Sequence, residues 1–184
     1  MRGVRKSGRF LRGPWGIGAL TVAVLAVGLG LYWFQPWKLV TDTTVREALP
    51  TASAPAAQPK PGQAARGPVT EATGTFISHE HATSGTVKIL RLPDGTRTLR
   101  LEGLNTSDGP DLRIWLTDAE VKEGRDGWRV FDDGEYVSLG KLKGNKGDQN
   151  YALPAGLDLD AYRSVTIWCD RFDVSFGAAE LTKA

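Results

Sequence analysis

The feature that most constrains the fold of this chain is a stretch without charged residues near the N-terminus, from residue 13 to residue 37. Within it, residues 17–34 are apolar apart from Thr21 and several glycines. A helix rises about 1.5 Å per residue, so a stretch of about 25 residues extends roughly 37 Å and exceeds the hydrocarbon core of a bilayer, which is about 30 Å. The sequence therefore predicts a transmembrane helix over residues 14–38, with the lipid bilayer as its partner.

The residues before this stretch indicate its orientation. Residues 1–13 contain five basic side chains and no acidic one. Basic flanks stay in the cytoplasm, so residues 1–13 are predicted to be a cytoplasmic tail, with the C-terminal part of a single-pass cell-membrane protein outside. The alternative is a cleaved signal peptide, which has the same basic and apolar regions. The apolar run ends in the bulky sequence YWFQPW, which favours an uncleaved anchor because signal peptidase requires small residues.

Residues 39–70 form a segment rich in proline and alanine, with prolines at 50, 55, 59, 61 and 68. This segment contains too little large apolar surface to offset the entropy lost on ordering. We therefore expect a disordered linker over residues 39–70. An extended linker of this length reaches on the order of 90 Å, which would hold the following domain away from the bilayer.

The remaining residues, 71–184, have the pattern of short strands separated by turns. TVKILRL and TRTLRLEGL are joined through Pro93, Asp94 and Gly95, which is typical of a hairpin. Further strands are predicted at LRIWLT, EYVSLGKL, QNYALP, SVTIWC and DVSFGAAEL. This close spacing, without a long stretch of helical period, predicts an all-β domain, either an antiparallel β-sandwich or a barrel.

The charge distribution and the cysteine count exclude several functions. The formal net charge is +2, but residues 71–184 hold 14 basic and 19 acidic side chains, so the positive charge lies in the residues before 71. Nothing in this balance supports a nucleic-acid partner. The single cysteine can form neither an intramolecular disulfide nor a thiolate-rich metal cluster.

Cys169 is the first candidate for chemistry. Alternate residues of a strand share a face, so in SVTIWC the Cys169 side chain points with Val165 and Ile167, while Trp168 points the other way. One interpretation is a small apolar side chain in the core. The other is a reactive thiol, which requires a partly exposed, electropositive setting that Arg171 would supply if the strand continued.

His79 and His81 would lie on one face of an extended segment. Together with Cys169 they would match the His₂Cys ligands of a blue-copper site. Such sites usually take a histidine and an axial methionine soon after the cysteine, and no such residues follow Cys169. We therefore predict no metal site. The alternative to the copper site is that both histidines are solvated at the surface.

The other polar motifs are typical of turns. Asp108 with Asp111, and the acidic run at 132–135, lie beside glycines or prolines, where aspartate side chains bond to the backbone. The segment GKLKGNKGDQ lacks the spacing of a phosphate-binding loop, and neither G-x-S-x-G nor H-E-x-x-H occurs. Hydrolytic chemistry is not favoured.

Residues 71–184 resemble the DM13 domain family. The most specific pieces are GPDLRIWL at 109–116, LGKLKGNKGDQNY at 139–151 and SVTIWCDRFDVSFGAAEL at 164–181. The resemblance implies a β-sandwich of extracytoplasmic and secreted proteins, for which an electron-transfer or redox role has been proposed around one cysteine. By this resemblance the cysteine is Cys169, and the family's H-x-x-S-G piece falls on His81, Ser84 and Gly85.

Two functions of different classes follow. The first is a membrane-tethered module that is at most an accessory redox or electron-transfer module rather than an enzyme, with Cys169 as the redox residue and His81 as its partner. The same two residues are then the candidates for holding a prosthetic group, which the sequence does not identify. The second is a non-catalytic module with a structural Cys169, which binds an extracytoplasmic protein or a cell-envelope polymer through the regions around Trp128 and residues 141–146.

Overall fold

The computed structural model describes residues 14–50 and 67–184, and its contacts divide the chain into two compact units between Trp37 and Lys38. The first unit contains the helix α1, Pro14–Phe34. Its side chains are apolar and exposed along nearly its whole length, and it is long and apolar enough to cross a membrane. A signal sequence would have the same length and composition, and the tail predicted at 1–13 lies outside the described residues.

The second unit consists of strands joined by turns. In chain order, the strands are β1 Thr44–Arg46, β2 Val69–Thr75, β3 Ile77–Ser78, β4 Ser84–Arg91, β5 Arg97–Asn105, β6 Leu112–Thr117, β7 Tyr136–Lys141, β8 Lys146–Ala152, β9 Ser164–Cys169, β10 Val174–Glu180 and β11 Thr182–Lys183. Short 3-10 turns lie at Pro36–Val40, Arg125–Gly127 and Leu159–Ala161.

These strands form two sheets. A six-stranded sheet has the order β1-β8-β5-β4-β2-β11, and a five-stranded sheet has the order β3-β10-β9-β6-β7. All pairings are antiparallel except β1 with β8. The predicted all-β class and antiparallel β-sandwich are confirmed, as is the β4–β5 hairpin, whose turn places Gly95 at a positive φ of 85°.

The core lies between the sheets and is built from the inward residues of each strand. Leu99 and Leu101 of β5 contribute from the six-stranded sheet, and Ile114, Val165 and Ile167 from the five-stranded sheet. Their burial follows the period of two that the sequence predicts, because successive strand side chains point to opposite faces.

A second apolar cluster covers the outer face of the five-stranded sheet. Trp115 and Trp168 stack there with ring centroids 5.0 Å apart, and Phe131 from the loop after β6 packs on them. Tyr136 extends the stack, 3.9 Å from Trp115 and nearly parallel to it. These tryptophans therefore stabilise the second face of the sheet.

The prediction of a disordered linker over residues 39–70 is wrong at both ends of that range. Residues 44–46 form β1, which pairs in parallel with Lys146–Asp148 of β8, and β2 begins at Val69. The β8 strand consequently starts at Lys146, earlier than predicted. Residues 51–66 lie outside the described residues, so the interior of the predicted linker stays a prediction.

Polar contacts hold β1 and its flanks in place. Thr43 N–H donates to Asn145 Oδ1 (2.7 Å), Asn145 Nδ2 donates to Asp42 Oδ1 (2.8 Å), and Lys143 Nζ donates to Glu47 Oε1 (2.7 Å). We call residues 42–48 the β1 segment. Apolar burial contributes little to its docking, which explains why hydrophobic periodicity does not reveal it.

Candidate functional site

Cys169 is the last residue of β9, and β9 is the central strand of the five-stranded sheet. Cys169 is opposite Val174 of β10 and Leu112 of β6. Its side chain is 0% exposed and belongs to the core cluster with Val165 and Ile167, so the predicted facing is confirmed. The thiol is free because it is the only cysteine of the chain.

The chain turns back directly after β9. Strand β9 ends at Cys169, and Phe172 N–H donates to the Cys169 carbonyl at 3.2 Å. Asp173 then takes a positive φ of 49°, and Asp170 N–H donates to the Asp111 carbonyl at 3.0 Å. The strand therefore does not continue to Arg171, which acts on the thiol through its backbone rather than through a strand face.

Opposing effects act on the thiol. Burial raises the pKa of Cys169 above its ordinary value, and the Glu80 carboxylate acts in the same direction. Backbone N–H groups of Arg171, Phe172 and Asp111 lower this pKa because they stabilise negative charge on sulfur. The resulting site is an enclosed, protonated thiol beside backbone N–H groups that would stabilise a thiolate charge.

His81 reaches the same end of the sheet along β10. Strand β3 pairs with β10 at Gly177 and Ala178, and beyond it Glu80 N–H donates to the Ser175 carbonyl at 3.2 Å. This segment therefore runs towards Val174, the β10 residue opposite Cys169. The His81 ring is half-buried on the Phe176 ring, with centroids 3.9 Å apart.

Glu80 links His81 to Cys169 electrostatically. Its carboxylate Oε2 lies 3.9 Å from Nε2 of His81, and the same carboxylate raises the pKa of Cys169. Burial lowers the pKa of His81, while Glu80 opposes that shift. The sequence analysis missed Glu80, although its position between two histidines was a usable signal.

His79 does not join this site. Its ring is buried, its Nδ1 lies 2.8 Å from Ser175 Oγ, and its Nε2 lies 3.1 Å from the Lys122 carbonyl. The ring also stacks on Phe131, on the outer face of the sheet. The expectation that His79 and His81 share a face is wrong because β3 ends at Ser78, so the alternation of a strand does not extend to them.

The arrangement also bears on metal binding. Across residues 14–50 and 67–184, no group of three or more histidine, cysteine, aspartate or glutamate side chains is placed to hold a metal ion. Two of the acidic residues predicted at turns have other partners: Asp108 Oδ1 accepts from Gly109 N–H at 2.7 Å, and Asp111 Oδ2 lies 3.4 Å from Arg113 Nη2. The His₂Cys copper alternative has no support from this geometry.

Comparison with known proteins identifies the fold unit that carries this site. A family model described as electron transfer DM13 matches residues 75–181. The chain belongs to the DM13 family. Its DM13 match includes Cys169, Glu80 and His81 but not the β1 segment or α1. No curated protein and no solved structure matches the chain.

Proposed function

We propose that this DM13 protein is a membrane-anchored, extracytoplasmic electron-transfer module in which Cys169 is the redox-active residue. The observation that carries the proposal is the enclosed sulfur of Cys169 at the end of β9, beside backbone N–H groups of Arg171, Phe172 and Asp111 that lower the pKa of its thiol. A purely structural cysteine needs no such donors, whereas a thiol that passes through an anionic state is stabilised by them. The description of the family as electron transfer supports the same role.

The proposed location rests on the N-terminal sequence. Helix α1 has the length and composition of a span, and five basic residues precede it within residues 1–13. The positive-inside rule then assigns the tail to the cytoplasm and the DM13 domain to the outside.

The proposed chemistry is reversible oxidation of the Cys169 thiol by a hydroperoxide. The sulfur forms an S–O bond as the peroxide O–O bond breaks, and the thiol proton leaves with the released alcohol. The product is a sulfenic acid. Because the chain holds one cysteine, the return to the thiol requires two partner thiols. The first forms a mixed disulfide with Cys169 and releases water, and the second attacks that disulfide, so that the Cys169 thiol is released and the two partner sulfurs are joined in a disulfide.

His81 is the proposed partner of Cys169 in this cycle. Glu80 raises the pKa of the thiol, and a protonated His81 beside Glu80 offsets that negative charge. The protonation state of His81 is thereby coupled to the ease of forming the thiolate. Cys169 and His81 remain the candidates for holding a prosthetic group, if the protein carries one.

The second candidate function is a non-catalytic binding module with a structural Cys169. The specific observation in its favour is that Cys169 is 0% exposed and has a raised pKa. In that case the binding regions are the loop around Trp128, where Arg125 lies over the indole at 5.5 Å, and the connection at 141–146.

A thiol titration of the full chain in lipid nanodiscs separates the two functions. Under the redox proposal, native Cys169 reacts with a hydroperoxide, and a sulfenic acid is trapped by a dimedone probe. A visible absorbance lost in Cys169→Ser would support a prosthetic group at this residue. A native thiol that reacts only after unfolding, in a protein without visible absorbance, would overturn the redox proposal.

A relocated thiol provides the matched control. Ala178 lies on β10, is also 0% exposed and belongs to the outer apolar cluster. We expect the double variant Cys169→Ser/Ala178→Cys to react much more slowly than the native protein, since the donors at residue 169 do not serve residue 178. Equal rates would mean that general breathing of the fold, rather than a built site, exposes the thiol.

A further inference from the structure

A cleft lies at the other end of β9 from Cys169. It has a volume of about 320 Å³, within the range of small-molecule sites. Arg163, which lines it, immediately precedes β9, whereas Cys169 ends that strand. At about 3.4 Å per strand residue the two positions are roughly 20 Å apart, so this cleft is separate from the proposed redox site.

The floor of the cleft is apolar and reaches the sandwich core. Ala72 of β2 and Ile89 of β4 line it, and both are buried core residues. Leu159, Tyr162 and Leu181 form its walls, and each packs only partly buried against that core. Because this apolar surface is still partly exposed to water, the binding of an apolar ligand that covers it is favourable.

The mouth of the cleft carries an excess of positive charge. The half-buried Glu71 is shared by two guanidinium groups, with Arg91 Nε at 3.0 Å and Arg97 Nε at 2.7 Å. The other cations have one carboxylate each: Arg163 pairs with Glu180 at 3.0 Å, and Lys183 pairs with Asp160 at 2.6 Å. Among the charged residues that line the cleft itself, three are basic, Arg97, Arg163 and Lys183, and two are acidic, Glu71 and Asp160, so the lining carries one net positive charge.

The backbone of Arg163 is fixed beside this mouth. Its N–H donates to the Thr117 carbonyl at 3.0 Å, and its carbonyl accepts from Leu181 N–H at 2.7 Å. An arginine whose backbone is held in this way presents its guanidinium from a defined origin, and a guanidinium matches the planar geometry of a carboxylate.

We propose that this cleft binds a small carboxylate with a flat apolar body. The body lies on Ala72 and Ile89 beside Tyr162, and the carboxylate binds at Arg163 and Arg97. The site is independent of Cys169 and of the proposed redox function.

Isothermal titration calorimetry of the full chain in lipid nanodiscs, with 2-naphthoate as the probe and empty nanodiscs as the blank, tests this proposal. We expect saturable binding that weakens at least about tenfold in Arg163→Met, because a hydrogen bond to a charged group is worth more than a factor of ten in affinity. Ala72→Leu, which adds volume to the floor, should abolish binding. Lys88→Met removes a cation that pairs with Glu102, on the face of β4 opposite to the core residue Ile89, and should leave binding unchanged.

Two further measurements separate the possible results. The uncharged analogue 2-naphthol should bind more weakly than 2-naphthoate, and Cys169→Ser should bind 2-naphthoate as the native chain does. Heats equal to those of empty nanodiscs, or binding that Arg163→Met leaves unchanged, would overturn the proposal. Because Arg163 is an exposed side chain, its variant also tests the site if Ala72→Leu fails to fold.

Discussion

Strands β9 and β1 are stabilised in different ways. Every residue of β9 is buried at the centre of the five-stranded sheet. Strand β1 lies at the edge of the six-stranded sheet, where Thr44 and Arg46 are exposed and only Val45 is half-buried. Apolar burial holds the first strand, and main-chain and charged contacts hold the second. The comparison shows that one domain contains both a strand with a strong sequence signal and a strand with almost none.

The largest effect is expected where β9 is packed. Trp168 is 1% exposed and stacks on Trp115. Trp168→Ala should lower the free energy of unfolding by about 3–5 kcal/mol, because it leaves a cavity that the neighbouring rings fill incompletely. Urea unfolding followed by far-ultraviolet circular dichroism measures this loss.

Tyr136→Ala provides the comparison for Trp168→Ala, since Tyr136 is the exposed end of the same aromatic stack. We expect it to cost about 0.5–1.5 kcal/mol. Similar losses for the two variants would show that the stack is not organised around β9.

The next effect concerns Gly147, where β8 meets β1. Gly147 has a positive φ of 95°, and a Cβ atom there would collide with the Val45 carbonyl oxygen. Gly147→Ala should therefore displace the β1 segment and destabilise the domain by about 1–3 kcal/mol. Hydrogen exchange should show the amides of β1 losing protection while those of β9 keep theirs.

Gly140→Ala is the matched control for Gly147→Ala. Gly140 also has a positive φ, at 110°, but nothing lies within 4 Å of an added Cβ. It reports the backbone strain without the collision. If both variants left β1 equally protected, the docking of β1 would not depend on the close approach at Gly147.

A third prediction concerns His79 and the dependence of stability on pH. Burial lowers the pKa of His79 in the folded state, so below the ordinary value of about 6.5 the unfolded chain binds a proton that the folded chain does not. Stability should fall as the pH drops below about 6.5, with a slope of up to about 1.4 kcal/mol per pH unit from this residue. Unfolding free energies measured between pH 7.5 and 5 check the slope.

His79→Gln should flatten this pH dependence by one proton. His81→Gln should flatten it less, because Glu80 opposes the effect of burial on the pKa of His81. A slope that neither variant changes would assign the acid sensitivity to other groups.

Hydrophobic alternation determined how much of the fold could be predicted. It identified β4, β5, β6, β9 and β10 and the facing of Cys169, because burial against a core leaves a period of two in the sequence. It could not identify β1, whose contacts are made by Asp42, Glu47 and backbone atoms. Hydrophobic alternation also could not predict the strand order within each sheet, since strand pairing depends on long-range contacts.

The candidate site was predictable only in part, for the same reason. Cys169 was a candidate from its strand pattern, and the resemblance to the DM13 family singled out His81 as its partner, but the donors near the sulfur are backbone N–H groups that any residue type can supply. His79 was placed with His81 because strand alternation was extended past Ser78, where β3 has already ended. Strand alternation predicts which way the side chains of a regular strand point, but it does not predict the conformation of the turn that follows.

The smallest effect is expected from a single charge of the β1 segment. The Glu47 carboxylate accepts from Lys143 Nζ at 2.7 Å and from Asn150 N–H at 2.6 Å, and the ion pair with Lys143 is the main reason that its pKa is lowered. Glu47→Gln should cost less than about 1 kcal/mol because the pair is partly exposed, and the cost should shrink as salt is added. The native contribution of Glu47 is present above its ordinary pKa of 4.5 and is lost as the pH falls through the lowered value, so the two proteins should converge in stability in acid.

Glu120→Gln, at an exposed position outside the β1 segment, is the control and should show neither dependence. A loss from Glu47→Gln as large as that from Trp168→Ala would mean that β1 and β9 are equally important to stability, contrary to the division between polar docking and apolar burial.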